Sequence, residues 1–246
     1  MRKNRVKQYY KESWNLIKES KWFTVFAFAL FCFCFVLGFI LKIYETELLE
    51  IINEMSVNFD GLNTFEIILK IFFNNSKSSF MSIIFSIGLL GSLGIFTSIF
   101  NGYLVGFVSR KSVELKGLSV LWRLIPHGIF ELTAIFLSIG LSVWLAYQFI
   151  ENCLKIKEKR KKLLCIIITS LLIIPLSFLT SIGNKVYGLI YSGIVILSII
   201  FAIARCKNNK KMKKYIVSVL RTFFIIILPL LLIAACIEGI LILILP

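Results

Sequence analysis

Clustered metal ligands are missing from this sequence. The 246 residues contain one histidine, His127, and six cysteines, no two of which stand in the CxxC spacing. A structural zinc site needs several Cys or His ligands close together. We therefore predict no metal site and no cofactor, and we interpret the cysteines as small buried residues.

Charged side chains are also scarce. They make up 17% of the chain and hydrophobic residues make up 58%, whereas a soluble domain is about a quarter charged and about half apolar. The apolar residues gather into runs of about 20, the length at which a helix crosses a hydrocarbon core of about 30 Å. This pattern excludes an ordinary soluble domain. It predicts an all-α, polytopic membrane helix bundle in contact with the lipid bilayer.

The net charge of +15 comes largely from basic residues in short loops between apolar runs. Such loops are typical of the cytoplasmic side of a membrane protein, so we predict no nucleic-acid partner. The first apolar run, 22–41, is followed by Lys42 rather than by a small-residue cleavage site. It is also longer than the apolar core of a secretory signal, which predicts an uncleaved first span.

Residues 1–21 include seven basic and two acidic residues, which predicts a cytoplasmic N-terminus. The larger side chains of this segment recur at helical spacing: Val6, Tyr10, Trp14 and Ile17. The spacing favours an interfacial helix that lies on the membrane surface before turning into the first span, and the alternative is a solvated tail. The remainder, 22–246, is predicted to be the membrane domain.

Residues 42–79 include six acidic and three basic residues and are predicted to lie outside the cell. The spacing of apolar residues predicts two short amphipathic helices in this segment, on either side of Asp60-Gly61. The next apolar run, 80–107, is predicted to cross back. Gly102 and Gly106 in this run have a spacing that favours close contact with another helix.

Segments 108–123 and 151–162 are both basic, so both are predicted to be inside, although the apolar run 124–150 separates them. A re-entrant hairpin with breakpoints at Pro126-His127-Gly128 and Gly140 resolves this conflict, and a full crossing is the alternative. The remaining predicted spans are 163–183, 186–204 and 216–245, with a basic inside loop at 205–215. The total is about five spans plus the hairpin, or six spans.

Two carboxylates, Glu131 and Glu238, lie inside apolar runs, where ionised groups usually face a bundle interior or a wet cavity. His127 precedes Glu131 by four residues and so shares its helix face. Asn101 and Arg221 lie near the ends of apolar runs. Two interpretations stay open: a substrate or proton path, or hydrogen bonds that join helices. No nucleophile–base grouping or phosphate loop is recognisable, so we predict no catalytic residues and no enzyme.

Four segments, taken in order, resemble one family of membrane proteins. They are Asn74-Asn75, Asn101 to Gly106 (similar to NGxxxG), Pro126 to Ala134 (similar to PHGxxE) and Pro229 to Glu238 (similar to LLIAAxIE). The family is that of stage II sporulation protein M. The two predicted spans at about 160–215 depart from many relatives, which have a shorter connection there.

The resemblance implies a multi-pass protein of the cell membrane with one of two roles. The namesake is a scaffold that recruits peptidoglycan-degrading partners during sporulation, which favours a non-enzymatic scaffold for cell-envelope proteins. Other relatives work beside an ATP-binding cassette (ABC) ATPase in bacteriocin secretion or immunity, which is the alternative. A proton-coupled carrier ranks last because no internal repeat is evident. The sequence leaves a homo-oligomer open.

Overall fold

The computed structural model describes residues 2–41, 43, 45–57, 61–181 and 185–244, and every regular element within them is helical. The α-helices are α1 (Arg2–Ile40), α2 (Glu45–Val57), α3 (Thr64–Phe85), α4 (Ser92–Lys116), α5 (Ile125–Asn152), α6 (Lys159–Ser181), α7 (Lys185–Cys206), α8 (Lys210–Thr222) and α9 (Leu228–Ile244). A 3-10 segment, Leu118–Leu124, joins α4 to α5, and a π-helical segment, Phe223–Ile227, joins α8 to α9. The predicted all-α class is confirmed.

Four helical stretches among the described residues are long and apolar enough to cross a membrane. They are Arg5–Ile40, Ser92–Lys116, Ile125–Asn152 and Lys210–Ile242. A shorter apolar helix covers Ser192–Cys206. Their length and composition agree with the predicted bundle of apolar membrane helices.

α5 lies at the centre of the bundle. It contacts α1, α3, α4, α6, α8 and α9, and its residues Leu141, Leu145 and Phe149 are at most 1% exposed. Trp144 adds an edge-to-face contact with Tyr215 of α8, with the ring centroids 5.1 Å apart. A helix that is apolar on nearly all sides is stable only when other helices surround it or lipid does, and α5 is surrounded by helices.

α1 and α4 run parallel with their backbones in direct contact. A Cβ atom at Gly106 would overlap the backbone of Phe35, and one at Gly38 would overlap the backbone of Tyr103. Small residues let two helix backbones approach in this way and gain dispersion contacts along their length. Glycine is therefore required on both helices of this pair.

The parallel direction of α1 and α4 defines two ends of the bundle. Ser98 Oγ, early in α4, donates to Ala27 O in the middle of α1 at 2.7 Å. Tyr103 Oη donates to Ile43 O, beyond the end of α1, at 2.9 Å. We call the end that holds the N-terminal half of α1 the proximal end, and the end that holds α2 the distal end.

The basic segment 108–123 lies at the distal end, so the prediction that it shares a side with the N-terminus is wrong. Arg110 Nη2 lies 3.3 Å from Glu45 Oε2 of α2. Lys111 forms a second ion pair with the same carboxylate. Glu45 of α2 thus compensates Arg110 and Lys111, two basic residues that the sequence alone assigns to the side of the N-terminus.

The other basic segments lie at the proximal end, on the same side as the N-terminal segment, as predicted. Asn209, before α8, reaches the end of α5, where its Nδ2 donates to Asn152 O at 2.9 Å. Farther along α8, Arg221 forms an ion pair with Glu12 of α1. The proximal end therefore gathers most of the basic residues of the chain.

A tight turn inside the predicted span 80–107 explains the changed position of the basic segment that follows it. α3 ends at Phe85 and α4 begins at Ser92. Gly91 adopts a left-handed conformation with φ of +80°, which glycine reaches without strain. Ser86 Oγ donates to a main-chain carbonyl at the end of α3. The run is two antiparallel helices joined at the proximal end, and not a single span.

The predicted re-entrant hairpin at 124–150 is not formed, because α5 is one unbroken helix. Gly140, a predicted breakpoint, instead packs against Thr24 of α1. Pro126 stands in the first turn, where the missing N–H of proline leaves no helical hydrogen bond unmade. The two basic segments that flank α5 now lie at opposite ends of the bundle, so the charge conflict that suggested a hairpin disappears.

Two further helix predictions differ from the structure. α1 is one helix of 39 residues, so the N-terminal segment does not turn before the first apolar run. The first external amphipathic helix is present as α2, but the second is the beginning of α3, a helix of 22 residues that packs in the bundle. A capping box between Asn63 and Glu66 starts α3.

Gly106→Val is expected to lower the melting temperature of the detergent-solubilised protein strongly. The new side chain meets the backbone of Phe35, which cannot move without separating α1 from α4. We expect a loss of about 3 kcal/mol, the upper end for overpacked cores. Gly128→Ala is the matched control, because no atom lies within 4 Å of a Cβ at that position. Equal melting temperatures for the two variants would contradict the α1–α4 contact.

Single cysteines at exposed positions are expected to report the two ends. In a background without the native cysteines, Ser119→Cys should react with a membrane-impermeant maleimide from one side of the membrane. Lys157→Cys and Asn208→Cys should react only from the other side, since they lie at the proximal end, and all three positions are exposed. Labelling of all three from one side would refute the turn between α3 and α4.

Candidate functional site

Three ionisable side chains come together at the distal end, near the start of α5 and the end of α9. The ligand atoms of His127, Glu131 and Glu238 all lie within 4.8 Å of one another, and the three residues are half-buried. Asn75 of α3 joins them, because its Nδ2 donates to Glu131 Oε1 at 2.8 Å. We call these four residues the polar cluster.

Helix periodicity and one close helix contact assemble the polar cluster. His127 and Glu131 are four residues apart on α5, so they lie one above the other on the same face. Glu238 arrives on α9, whose next residue, Gly239, lies against the side chain of Ile68 of α3. Because a Cβ at Gly239 would overlap that side chain, glycine at this position allows α9 to approach α3.

The polar cluster places two carboxyl groups close together. The ligand atoms of Glu131 and Glu238 lie within 4.8 Å of each other, and neither side chain is freely exposed. A carboxylate removed from water needs hydrogen bonds or a compensating positive charge. The amide of Asn75 supplies one hydrogen bond to Glu131, and His127 is the basic member of the cluster. The arrangement can bind a proton or a cation, and its four members include no hydroxyl or thiol group.

The other predicted site residues are not members of the polar cluster, although Pro126 and Gly128 flank His127 in the chain. Gly102 and Gly106 pack against the backbone of α1. Asn101 is half-buried on α4, and a Cβ at Gly128 would meet open space. Arg221 lies at the proximal end in an ion pair with α1. The described residues therefore form no continuous polar path that contains the whole predicted set.

Asn75 is the member of the polar cluster that sequence reasoning missed as a site residue. Asn74 and Asn75 were recognisable only as part of a motif. Two adjacent amides inside a helix that packs in the bundle are a usable signal, because buried amides need partners. Here the partner is Glu131, on α5.

A second charged group at the distal end ties α2 to α4. Glu45 pairs with Arg110 and Lys111, and Lys111 Nζ also lies 3.3 Å from Glu114 Oε2. The side chain of Arg110 is only 7% exposed, and its guanidinium lies 5.2 Å from the ring of Phe107. We call Glu45, Arg110, Lys111 and Glu114 the distal clamp, because they hold α2 against the bundle.

The hydrogen bond between Asn75 and Glu131 is expected to show as a coupling in a double-mutant cycle. Asn75→Ala, Glu131→Ala and the double variant should give a coupling of about 1.5–3 kcal/mol in the free energy of unfolding, the range for hydrogen bonds to charged groups. A parallel cycle with Asn101→Ala in place of Asn75→Ala is expected to be additive. Additivity in both cycles would show that the contact contributes nothing.

Comparison with known proteins finds a matching family. The family described as Stage II sporulation protein M matches residues 27–182, more than half of the chain. The matched range includes Asn75, His127 and Glu131, and it ends before Glu238. No curated protein and no solved structure matches the chain.

Proposed function

The chain belongs to the stage II sporulation protein M family, and on that premise we propose that it is a non-enzymatic scaffold for cell-envelope proteins. Both the family and the apolar helices fit an integral membrane protein. The proposed partners are peptidoglycan hydrolases that act outside the membrane. The distal end is the proposed docking region.

The orientation follows from charge. The proximal end holds the basic N-terminal segment and the basic segments before α6 and around α8. Lysine and arginine in short loops favour the cytoplasmic side, so the proximal end is the cytoplasmic one. At the distal end, Arg110 and Lys111 are compensated by Glu45. In this orientation α1, α4, α5 and the α8–α9 run are the described helical stretches long and apolar enough to cross the membrane, and α3 returns the chain to the proximal end between α1 and α4.

The observation that carries the proposal is an exposed apolar rim beside the distal clamp. Leu115, near the end of α4, and Leu118 and Trp122, in the 3-10 segment after it, are 82%, 72% and 50% exposed. Contiguous exposed apolar residues with a polar border are typical of protein interaction sites. This rim and α2 form the proposed docking region. The second half of segment 42–79 is not part of it, because that half belongs to α3.

Trp122→Ser is expected to reduce the recovery of a peptidoglycan hydrolase with the tagged protein by about tenfold or more. Tryptophans in the centre of an interface commonly contribute 2 kcal/mol or more, and about 1.4 kcal/mol corresponds to a factor of ten. Trp14→Ser is the matched control, since Trp14 is 55% exposed and lies at the proximal end. Unchanged recovery with Trp122→Ser would remove the rim from the interface.

A second candidate function is the membrane subunit of an ABC-type exporter or of a bacteriocin immunity system. α8 supports it, because Met212 and Val219 are buried while Lys213 and Lys214 are exposed. Such a helix presents a basic face to which an ATPase can bind. A cavity of about 840 Å³, lined mainly by apolar side chains of α1, α5 and α6, would hold an apolar segment of a substrate.

Charge reversal on α8 separates the two functions. The variant Lys213→Glu, Lys214→Glu is expected to lose a co-purifying ATPase if the protein is an exporter subunit, because the basic face disappears. A scaffold should keep its hydrolase partner with the same variant, since the distal rim is unchanged. Loss of a hydrolase but not of an ATPase with this variant would contradict the proposed docking end.

A further inference from the structure

The polar cluster has more ionisable groups than a contact between helices requires. One hydrogen-bond donor and one acceptor are enough to join two helices. Here an imidazole and two carboxylates, His127, Glu131 and Glu238, face one another. Imidazole nitrogen and carboxylate oxygen are ordinary ligands of Zn²⁺ and Mn²⁺.

The distances are close to those that one bound ion requires. Zn²⁺ lies about 2.0–2.2 Å from histidine nitrogen and carboxylate oxygen, so two of its ligands are at most about twice that length apart. The three donor atoms already lie within 4.8 Å of one another, and small side-chain rotations close the gap. His127 and Glu131 also have the four-residue spacing at which a helix presents two ligands to one zinc ion.

Asn75 stands where metal sites place a supporting residue. Its Nδ2 donates to Glu131 Oε1, which fixes the orientation of the carboxylate. Carboxylates that bind metals are commonly held by such hydrogen bonds. A cation also compensates the negative charge that the neighbouring carboxyl groups of Glu131 and Glu238 carry when ionised, which a neutral amide alone does not.

We propose that His127, Glu131 and Glu238 bind one divalent transition-metal ion, with Zn²⁺ as the best fit, and that Asn75 orients Glu131 toward it. The ion joins the start of α5 to the end of α9 at the distal end. Its role is structural. The inference is independent of the scaffold proposal, because the same ion would stabilise this end of an exporter subunit.

Metal binding is measured on the full chain purified in detergent, stripped with a chelator and reloaded separately with Zn²⁺, Mn²⁺ or Mg²⁺. We expect about one Zn²⁺ per chain by elemental analysis and a higher melting temperature with Zn²⁺ than with Mg²⁺. The proposal is overturned if the wild-type protein retains no ion and its melting temperature does not change with any of the three metals. That result would indicate that the carboxylates share a proton instead.

Variants assign the ion to the polar cluster. His127→Ala and Glu238→Gln should weaken Zn²⁺ binding by at least about 100-fold, and Asn75→Ala by about 10- to 100-fold, the range for supporting residues. Glu114→Gln, in the distal clamp, is the matched control and should bind as the wild type does. Zn²⁺ binding that survives both His127→Ala and Glu238→Gln would refute the site.

The absorption spectrum of the Co²⁺-loaded protein excludes the remaining explanation. Cys153 and Cys206 have sulfur atoms 3.7 Å apart and are alternative ligands for zinc. Ligation by the polar cluster gives a spectrum without thiolate charge-transfer bands. Strong thiolate bands that disappear with Cys206→Ser would assign the ion to the cysteines and contradict the proposal.

Discussion

The direct backbone contact between α1 and α4 is the constraint on which the rest of the bundle depends. Gly38 and Gly106 each lie against a main chain of the other helix, and this fit fixes the two helices as parallel neighbours. Parallel neighbours must be separated in the chain by a helix that returns, and α3 is that helix. The turn at Gly91 and the single passage of α5 follow from the same requirement.

The position of the polar cluster depends on this arrangement. Because α3 and α5 both run antiparallel to α1, the N-terminal part of each lies at the distal end, where Asn75 meets Glu131. α9 runs in the opposite direction from these two helices and brings Glu238 to the same end. The cluster is a product of helix direction as much as of residue type.

The sequence predicted well what periodicity and composition determine. The apolar helices, the shared face of His127 and Glu131, and the common side of the N-terminal and later basic segments all agree with the structure. The turn between α3 and α4 was not predicted because it lies within an apolar run, where no charged residue indicates a side of the membrane. In the sequence, Gly91 also cannot be distinguished from the glycines around it that pack against other helices. The role of Asn75 and the approach of Glu238 depend on tertiary contacts that one sequence does not encode locally.

The distal clamp has a consequence for how the chain enters a membrane. With the proximal end in the cytoplasm, Arg110 and Lys111 must be moved across the bilayer, against the preference of basic residues for the cytoplasmic side. α1 and α2 precede α4 in the chain and so leave the ribosome first. In the proposed orientation Glu45 is therefore already outside when Arg110 and Lys111, its partners in the fold, arrive. The order of synthesis thus makes the Glu45 carboxylate available before the positive charges of Arg110 and Lys111, with which it pairs in the folded protein.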